Sequence, residues 1–452
     1  MSAEPTILDG DDRPVVSDAG AVRERLPRSV TLALLAGVLA LLMFGPLAFG
    51  AVEPWAIFTI EAGAALLLLG WTVAAAFSPL GLKVRFSPLY KPMLLFLAVV
   101  AVQIIFGRSA YSYNTVMETR LVITYGILAF LALQSLQRGG DYLKFGWTMA
   151  GFGFVVALFA VAQDLAGNGK IFWLREQHEG VIYGPYVNHS HFAGLMEMMV
   201  PFALVMAAGR MLHGGKRTLL AFAAAFMVGT VLMSRSLGGL VAIACQVIAF
   251  ILITRKERSS SRVDKRRTLA IAALAVLTLG FLMWLDQGRS LDRIMGLHDP
   301  KYSASTTSRI AIAKDSLHMF TGRPILGWGL GTFSLVYPKY QSFYSIFLVN
   351  HAHDDYLEAL TETGLMGFTA LVWFIVLLYR TSLRKVTDWS KEPRAGTRLA
   401  ALVACTGILV HSLSDFNLHI PGNAALFFVL SWVATAGSGA PHPHSSQEHS
   451  AH

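Results

Sequence analysis

Between residues 30 and 437 the chain is a succession of apolar stretches separated by polar breaks. A helix that crosses a bilayer needs about 20 predominantly apolar residues. The pattern predicts twelve spans, at 30–47, 54–77, 92–107, 116–136, 145–164, 190–209, 218–233, 237–254, 268–285, 360–379, 397–413 and 421–437. The third, seventh and eleventh are short, so the count is eleven or twelve. The fold class is therefore all-α, a polytopic membrane protein of about twelve transmembrane helices. Residues 1–28 read as a polar, disordered cytoplasmic leader, 29–437 as the transmembrane domain and 438–452 as a disordered cytoplasmic tail. Two connections on the opposite side are long, 165–189 and 286–359. A structureless loop of the second length is out of scale for a compact domain, so it should carry short amphipathic helices and a function. Within it, SRIAIAKDSLHMF (308–320) places Ile310, Ala313, Leu317 and Phe320 at helical spacing, an apolar stripe suited to the membrane surface.

Composition narrows the class. Charged residues make up 14% of the chain and mean hydropathy is +0.53, against about 25% charged in a soluble domain. This excludes an ordinary soluble enzyme, a DNA-binding protein and a secreted disulfide scaffold; the two cysteines, Cys245 and Cys405, both lie in apolar runs. The net charge of +9 is mostly a topology signal. With the N-terminus inside, 25 of the 37 Lys and Arg residues fall on inside segments, as the positive-inside rule requires.

Candidate chemistry gathers on the outside face. Arg235 sits in a tight turn (LMSRSLGG) between two spans, where a guanidinium is costly unless it meets an anion or snorkels. Arg309 and Lys314 lie on the amphipathic helix. GRPILGWGLGTF (322–333) follows a helix rather than a strand, so its glycines do not form a phosphate-binding signature. Tyr337, Tyr340, Phe343, Tyr344 and Phe347 suit sugar stacking or interfacial anchoring equally. The run VNHAHDDYLEALTETGLMGF (349–368) holds His351, His353 and four acidic residues, Asp354 among them, where the chain re-enters the membrane. Histidine is the natural base near neutral pH. Two histidines two apart do not share a helical face, so no metal site is expected there. Asn188, His189 and His191, with His411, Asp415 and His419, read as catalytic neighbours or as caps and packing residues. Glu61 and Glu197 fall within spans and should pair inside the bundle, and Arg120 in the fourth span is counted with the substrate-binding candidates.

The segments NHSHFAG (188–194), SRSLGGL (234–240), TSRIAIAKDSL (307–317) with RPILGWGLGTF (323–333), and HAHDDYLEALTETGLMG (351–367) resemble the O-antigen ligase and polysaccharide polymerase superfamily. The most specific element is His353, one polar residue, nine positions, then Gly364 and Gly367; Asp354 departs from the Asn, Ser or Gln usual after the histidine. The resemblance implies a glycosyltransferase of the bacterial inner membrane with its site facing the periplasm. The implied donor is a glycan on undecaprenyl diphosphate, and the acceptor is lipid A core or a growing polysaccharide. It implies no cofactor and no metal, with His353 and Arg235 catalytic. Arg309, Lys314, Asn188, Arg120, Asp354 and His351 are the expected substrate-binding residues. Ligation to lipid A core is preferred over polymerisation. The rival class, a flippase or transporter, would show repeats and a midplane site, whereas these polar clusters lie at one face.

Overall fold

The computed structural model describes residues 26–78, 84–176, 181–258, 265–287, 300–345 and 348–437. The leader up to residue 25, the tail from 438, residues 288–299 of the long loop, and Phe347 lie outside them. Fourteen α-helices occur among the described residues. Nine precede the long loop: α1 Arg28–Leu47, α2 Pro54–Ala76, α3 Tyr90–Ile105, α4 Ser112–Ser135, α5 Gly139–Leu165, α6 His189–Ala208, α7 Gly215–Ser234, α8 Leu237–Arg258 and α9 Lys265–Leu285. The loop contributes α10 Pro300–Gly322 and α11 Phe333–Val336. Then come α12 Asp355–Leu383, α13 Pro393–His411 and α14 Pro421–Thr435. The only strands among them are the two-residue pieces Lys170–Ile171 and Arg175–Glu176, paired antiparallel in the 165–189 connection.

Each of the twelve apolar stretches has become a helix. Eight of the helices are long and apolar enough to cross a membrane, while α3, Ala272–Leu285 of α9 and α14 are shorter apolar helices. Helix α13 carries Arg394 and Arg398 and is buried along most of its length. A helix enclosed by other helices can keep polar groups that lipid would not tolerate. The chain is thus a multi-pass, all-α membrane protein. Helix α6 lies deepest, whereas α2 exposes Phe58, Leu66 and Leu69. Close packing uses small residues, as membrane bundles do; a Cβ on Gly45 of α1 would lie 2.9 Å from Cα of Gly422 in α14.

Contacts between connections sort the helix ends into two sets. At one end Arg28 pairs with Asp141, the Arg85 guanidinium reaches the Leu133 and Gly437 carbonyls, and Arg394 reaches the Gln137 carbonyl. At the other end Gly422 donates to the Gly50 carbonyl, Ala110 to the Trp328 carbonyl, and Tyr186 to Asn423. The long loop belongs to this second set, the loop end.

Helix α10 spans the predicted amphipathic segment and carries a second apolar face beside the predicted stripe. Ile312 and Met319 are buried, and they join Phe333, Val336, Tyr337 and Ala352 in a small core of the loop's own. Ile310 and Leu317 are exposed. The helix carries apolar residues on two faces, and the loop core takes the one where Asp315 can accept the Tyr337 hydroxyl at 3.0 Å and the Ser342 N–H at 3.0 Å.

Candidate active site

The first turns of α12 carry the densest polar chemistry in the bundle. Asp355, Glu358 and Glu362 recur at spacings of three and four, so they share one helix face, and all three are buried. Buried carboxylates persist only when bonded, and each of these is. Glu362 accepts the backbone N–H groups of Gly331 and Phe333, both at 2.8 Å. The glycine-rich segment therefore cradles a carboxylate of its own chain. Glu358 accepts the Ala352 N–H at 2.8 Å and faces Nδ1 of His351 at 2.8 Å and Nε2 of His419 at 3.3 Å. Asp355 accepts the Ser412 hydroxyl at 2.6 Å and the Leu418 N–H at 3.1 Å, and it faces Nδ1 of His419 at 2.7 Å. Burial lowers the basicity of His419, but the charges of Glu358 and Asp355 outweigh it and hold the ring well above the usual histidine range.

His353, two residues after His351, has different partners. Its backbone is left-handed, φ +53°, and its Nδ1 lies 3.6 Å from Oδ1 of Asp415. The same oxygen accepts the Phe416 N–H at 2.9 Å and lies 3.9 Å from Nε2 of His191. The Phe416 ring is shared, stacked on His351 at 4.2 Å and edge-on to His353 at 5.1 Å. Burial pushes the Asp415 carboxyl up, yet His353, then His191, His411 and Arg309, hold it well below the usual carboxylate range. The charged Asp415 thus lies beside a His353 whose side chain is 31% exposed.

Arg309 adjoins this pair, and the turn that holds Arg235 packs on the same connection. Arg309, exposed on α10, donates from Nη1 to the Ser414 carbonyl at 2.8 Å, one residue from Asp415. Arg235 ends α7 in a left-handed conformation, φ +60°, with Nη2 3.7 Å from the buried Asp286 Oδ1. Its turn docks beside the same segment: the Ser236 hydroxyl donates to the Ser190 hydroxyl at 3.2 Å, and a Cβ on Gly238 would lie 2.7 Å from both His411 and Ser414. Lys314 is exposed on α10, five residues beyond Arg309.

The remaining candidates take structural partners. Asn188 caps α6 by accepting the Ser190 N–H at 2.8 Å. Asp354 caps α12, accepting the N–H groups of Tyr356 and Leu357 at 2.9 and 3.0 Å. Arg120 pairs with Glu61 across α4 and α2, and Glu197 pairs with His411 at 2.7 Å in the buried core, so both intramembrane carboxylates have partners. The sequence reading counted Asp355, Glu358 and Glu362 only as charge. Their 3,4 spacing was the signal that they form one polar stripe. A cavity of about 170 Å³ adjoins that stripe, with Glu118, Glu362 and His419 at its polar part and Phe96, Phe374 and Phe427 among its apolar walls.

No curated protein matches the chain. Residues 222–372, about a third of it, match the family model described as O-antigen ligase. That segment runs from within α7 into α12 and holds Arg235, Arg309, Lys314, His351 and His353. The match supports the motif resemblance to the O-antigen ligase superfamily over the segment that carries these residues.

Proposed function

We propose that the protein transfers a glycan from undecaprenyl diphosphate to an acceptor hydroxyl at the loop end, that this end faces the periplasm of a bacterial inner membrane, and that lipid A core is the acceptor. The observation that carries the reading is the pairing of a partly exposed His353 with a buried, ionised Asp415, flanked by Arg309 on the adjoining carbonyl. His353 removes the acceptor proton as the acceptor oxygen attacks the anomeric carbon. The bond from that carbon to the diphosphate breaks, and the leaving group departs with the electron pair. Arg235 and Arg309 offset the charge that develops on it, and Lys314 adds to the positive field. The buried carboxylates of α12 are occupied by backbone and histidine donors, so the reading is a single displacement with inversion, using neither nucleotide nor metal at the reacting atoms. A donor lying in the bilayer reaches this site from the side, and the acceptor reaches it from water.

The test is transfer by purified protein in nanodiscs from lipid-linked glycan to lipid A core, with wild type beside His353→Ala and Arg235→Ala. Loss of transfer by a factor of about 10² or more in both folded variants supports the reading. Full transfer by His353→Ala, or a retained anomeric configuration, overturns the corresponding step.

A further inference from the structure

His351, Glu358 and His419 bring one ligand atom each to within 4.8 Å of one another. We propose that these three side chains hold a divalent transition-metal ion of the zinc class, which staples the returning loop to the first turns of α12 and to the segment after α13. The ligand set includes neither His353 nor Asp415, so the proposal does not depend on the transfer reaction.

The donor set is two imidazole nitrogens and one carboxylate oxygen, which suits zinc and its neighbours rather than magnesium or calcium. Zinc bonds of about 2.0–2.2 Å in a tetrahedral arrangement put ligand atoms roughly 3.3 Å apart. Nε2 of His419 lies 3.3 Å from Oε1 of Glu358, and Nδ1 of His351 lies 2.8 Å from the same oxygen. A metal-binding histidine almost always gives its other ring N–H to a carboxylate or carbonyl, which fixes the tautomer, and the ion takes the place of the proton that the carboxylates otherwise hold on Nε2 of His419. Nδ1 of His419 is 2.7 Å from Asp355, and Asp355 is itself held by the Ser412 hydroxyl and the Leu418 N–H. The second oxygen of Glu358 is fixed by the Ala352 N–H. Three protein ligands leave a fourth position for water, and His351 is 29% exposed, so the ion has a way in.

The staple also has a structural consequence. The chain from His351 to Glu358 contains His353 in its left-handed conformation. Pinning both ends of that segment to His419 limits how far the His353 ring can drift from Asp415. The pattern His-x-His thus divides its labour, His351 toward the ion and His353 toward the acceptor.

The experiment uses full-length protein in nanodiscs, purified without a histidine tag and with His442, His444, His449 and His452 of the tail changed to alanine. After desalting it is titrated with Co²⁺ and then Zn²⁺. The expected result is one Co²⁺ per chain, with the visible absorption of a four-coordinate nitrogen and oxygen site, displaced by Zn²⁺. Binding is lost in His351→Gln and His419→Gln, weakened by about 10–100-fold in Asp355→Asn, and kept in His353→Gln. Thermal melting of the unsubstituted site provides a second reading that needs no folded variant: Zn²⁺, but not Mg²⁺, raises the Tm after chelation. Absence of a bound equivalent with no Zn²⁺-dependent rise in Tm, or equal binding by the His351→Gln and His419→Gln variants, overturns the proposal.

Discussion

His353 and Arg235 both hold a left-handed backbone without being glycine, at φ +53° and +60°. That conformation costs an L-residue roughly 1–2 kcal/mol, although histidine and asparagine adopt it more readily than most. For His353 the backbone and the imidazole can be separated. His353→Asn should fold and melt like wild type, because asparagine tolerates the same backbone, while transfer falls by about 10²–10⁴ for loss of the base. Wild-type transfer by that variant would remove His353 from the chemistry. Asp415 gives a pH prediction. Its pKa is depressed in the folded state, so its contribution to stability is present above the unfolded carboxylate value of about 3.9 and is lost as pH falls through the folded one. The Tm difference between wild type and Asp415→Asn should therefore stay constant from pH 8 to about 5 and close only below about pH 4. A gap that closes near neutral pH would contradict an ionised Asp415.

At the scale of elements, the long loop is joined to α12 where that helix breaks. Gly364 has φ +62° and ψ −169° within α12, a region essentially confined to glycine. Segment 324–329 fills the break from both sides. Trp328 N–H and Gly329 N–H donate to the Thr361 and Glu362 carbonyls at 3.0 and 2.9 Å, while Leu365 N–H and Met366 N–H donate to the Pro324 and Ile325 carbonyls at 2.9 and 3.2 Å. A Cβ on Gly364 would overlap the Ile325 carbonyl, and one on Gly327 would overlap the Glu362 carbonyl. Gly364→Ala should thus destabilise the protein by about 3 kcal/mol or more, from the backbone conformation and the overlap together. Gly151→Ala in α5, where a Cβ meets nothing within 4 Å, should melt no lower than wild type. Thermal melting of the two variants checks the pair, and equal melting would mean that the joint is not rigid.

For the whole molecule, the twelve helices from α1 to α9 and α12 to α14 alternate between the two ends, and the long loop sits opposite Arg28. The orientation proposed from the positive-inside asymmetry has Arg28 in the cytoplasm and the His353 cluster outside. With Cys245 and Cys405 replaced by serine, Lys314→Cys should react with an impermeant maleimide in cells whose outer membrane alone has been opened. Lys216→Cys, exposed in the first turn of α7, should react only after the inner membrane is disrupted. The reverse pattern would place the cluster in the cytoplasm and end the proposal of a periplasmic reaction.

Much of this was legible along the chain, because a bilayer reads segment length and hydropathy, both local properties. The helices and the excess of Lys and Arg on one set of loops follow from residues close in sequence, and the motif they compose is what nominates Arg235, Arg309 and His353. Tertiary structure decided which polar groups meet. Asp415 comes to His353 across 62 positions, Glu358 to His419 across 61, and Glu362 to the glycine loop across 31. It also turned Asn188 and Asp354 into helix caps, paired Arg120 with Glu61, and put Ile312 and Met319 rather than Ile310 and Leu317 into the loop core. Each of these choices depends on which partner lies within hydrogen-bond or packing distance. Spacing within one segment carries no record of that.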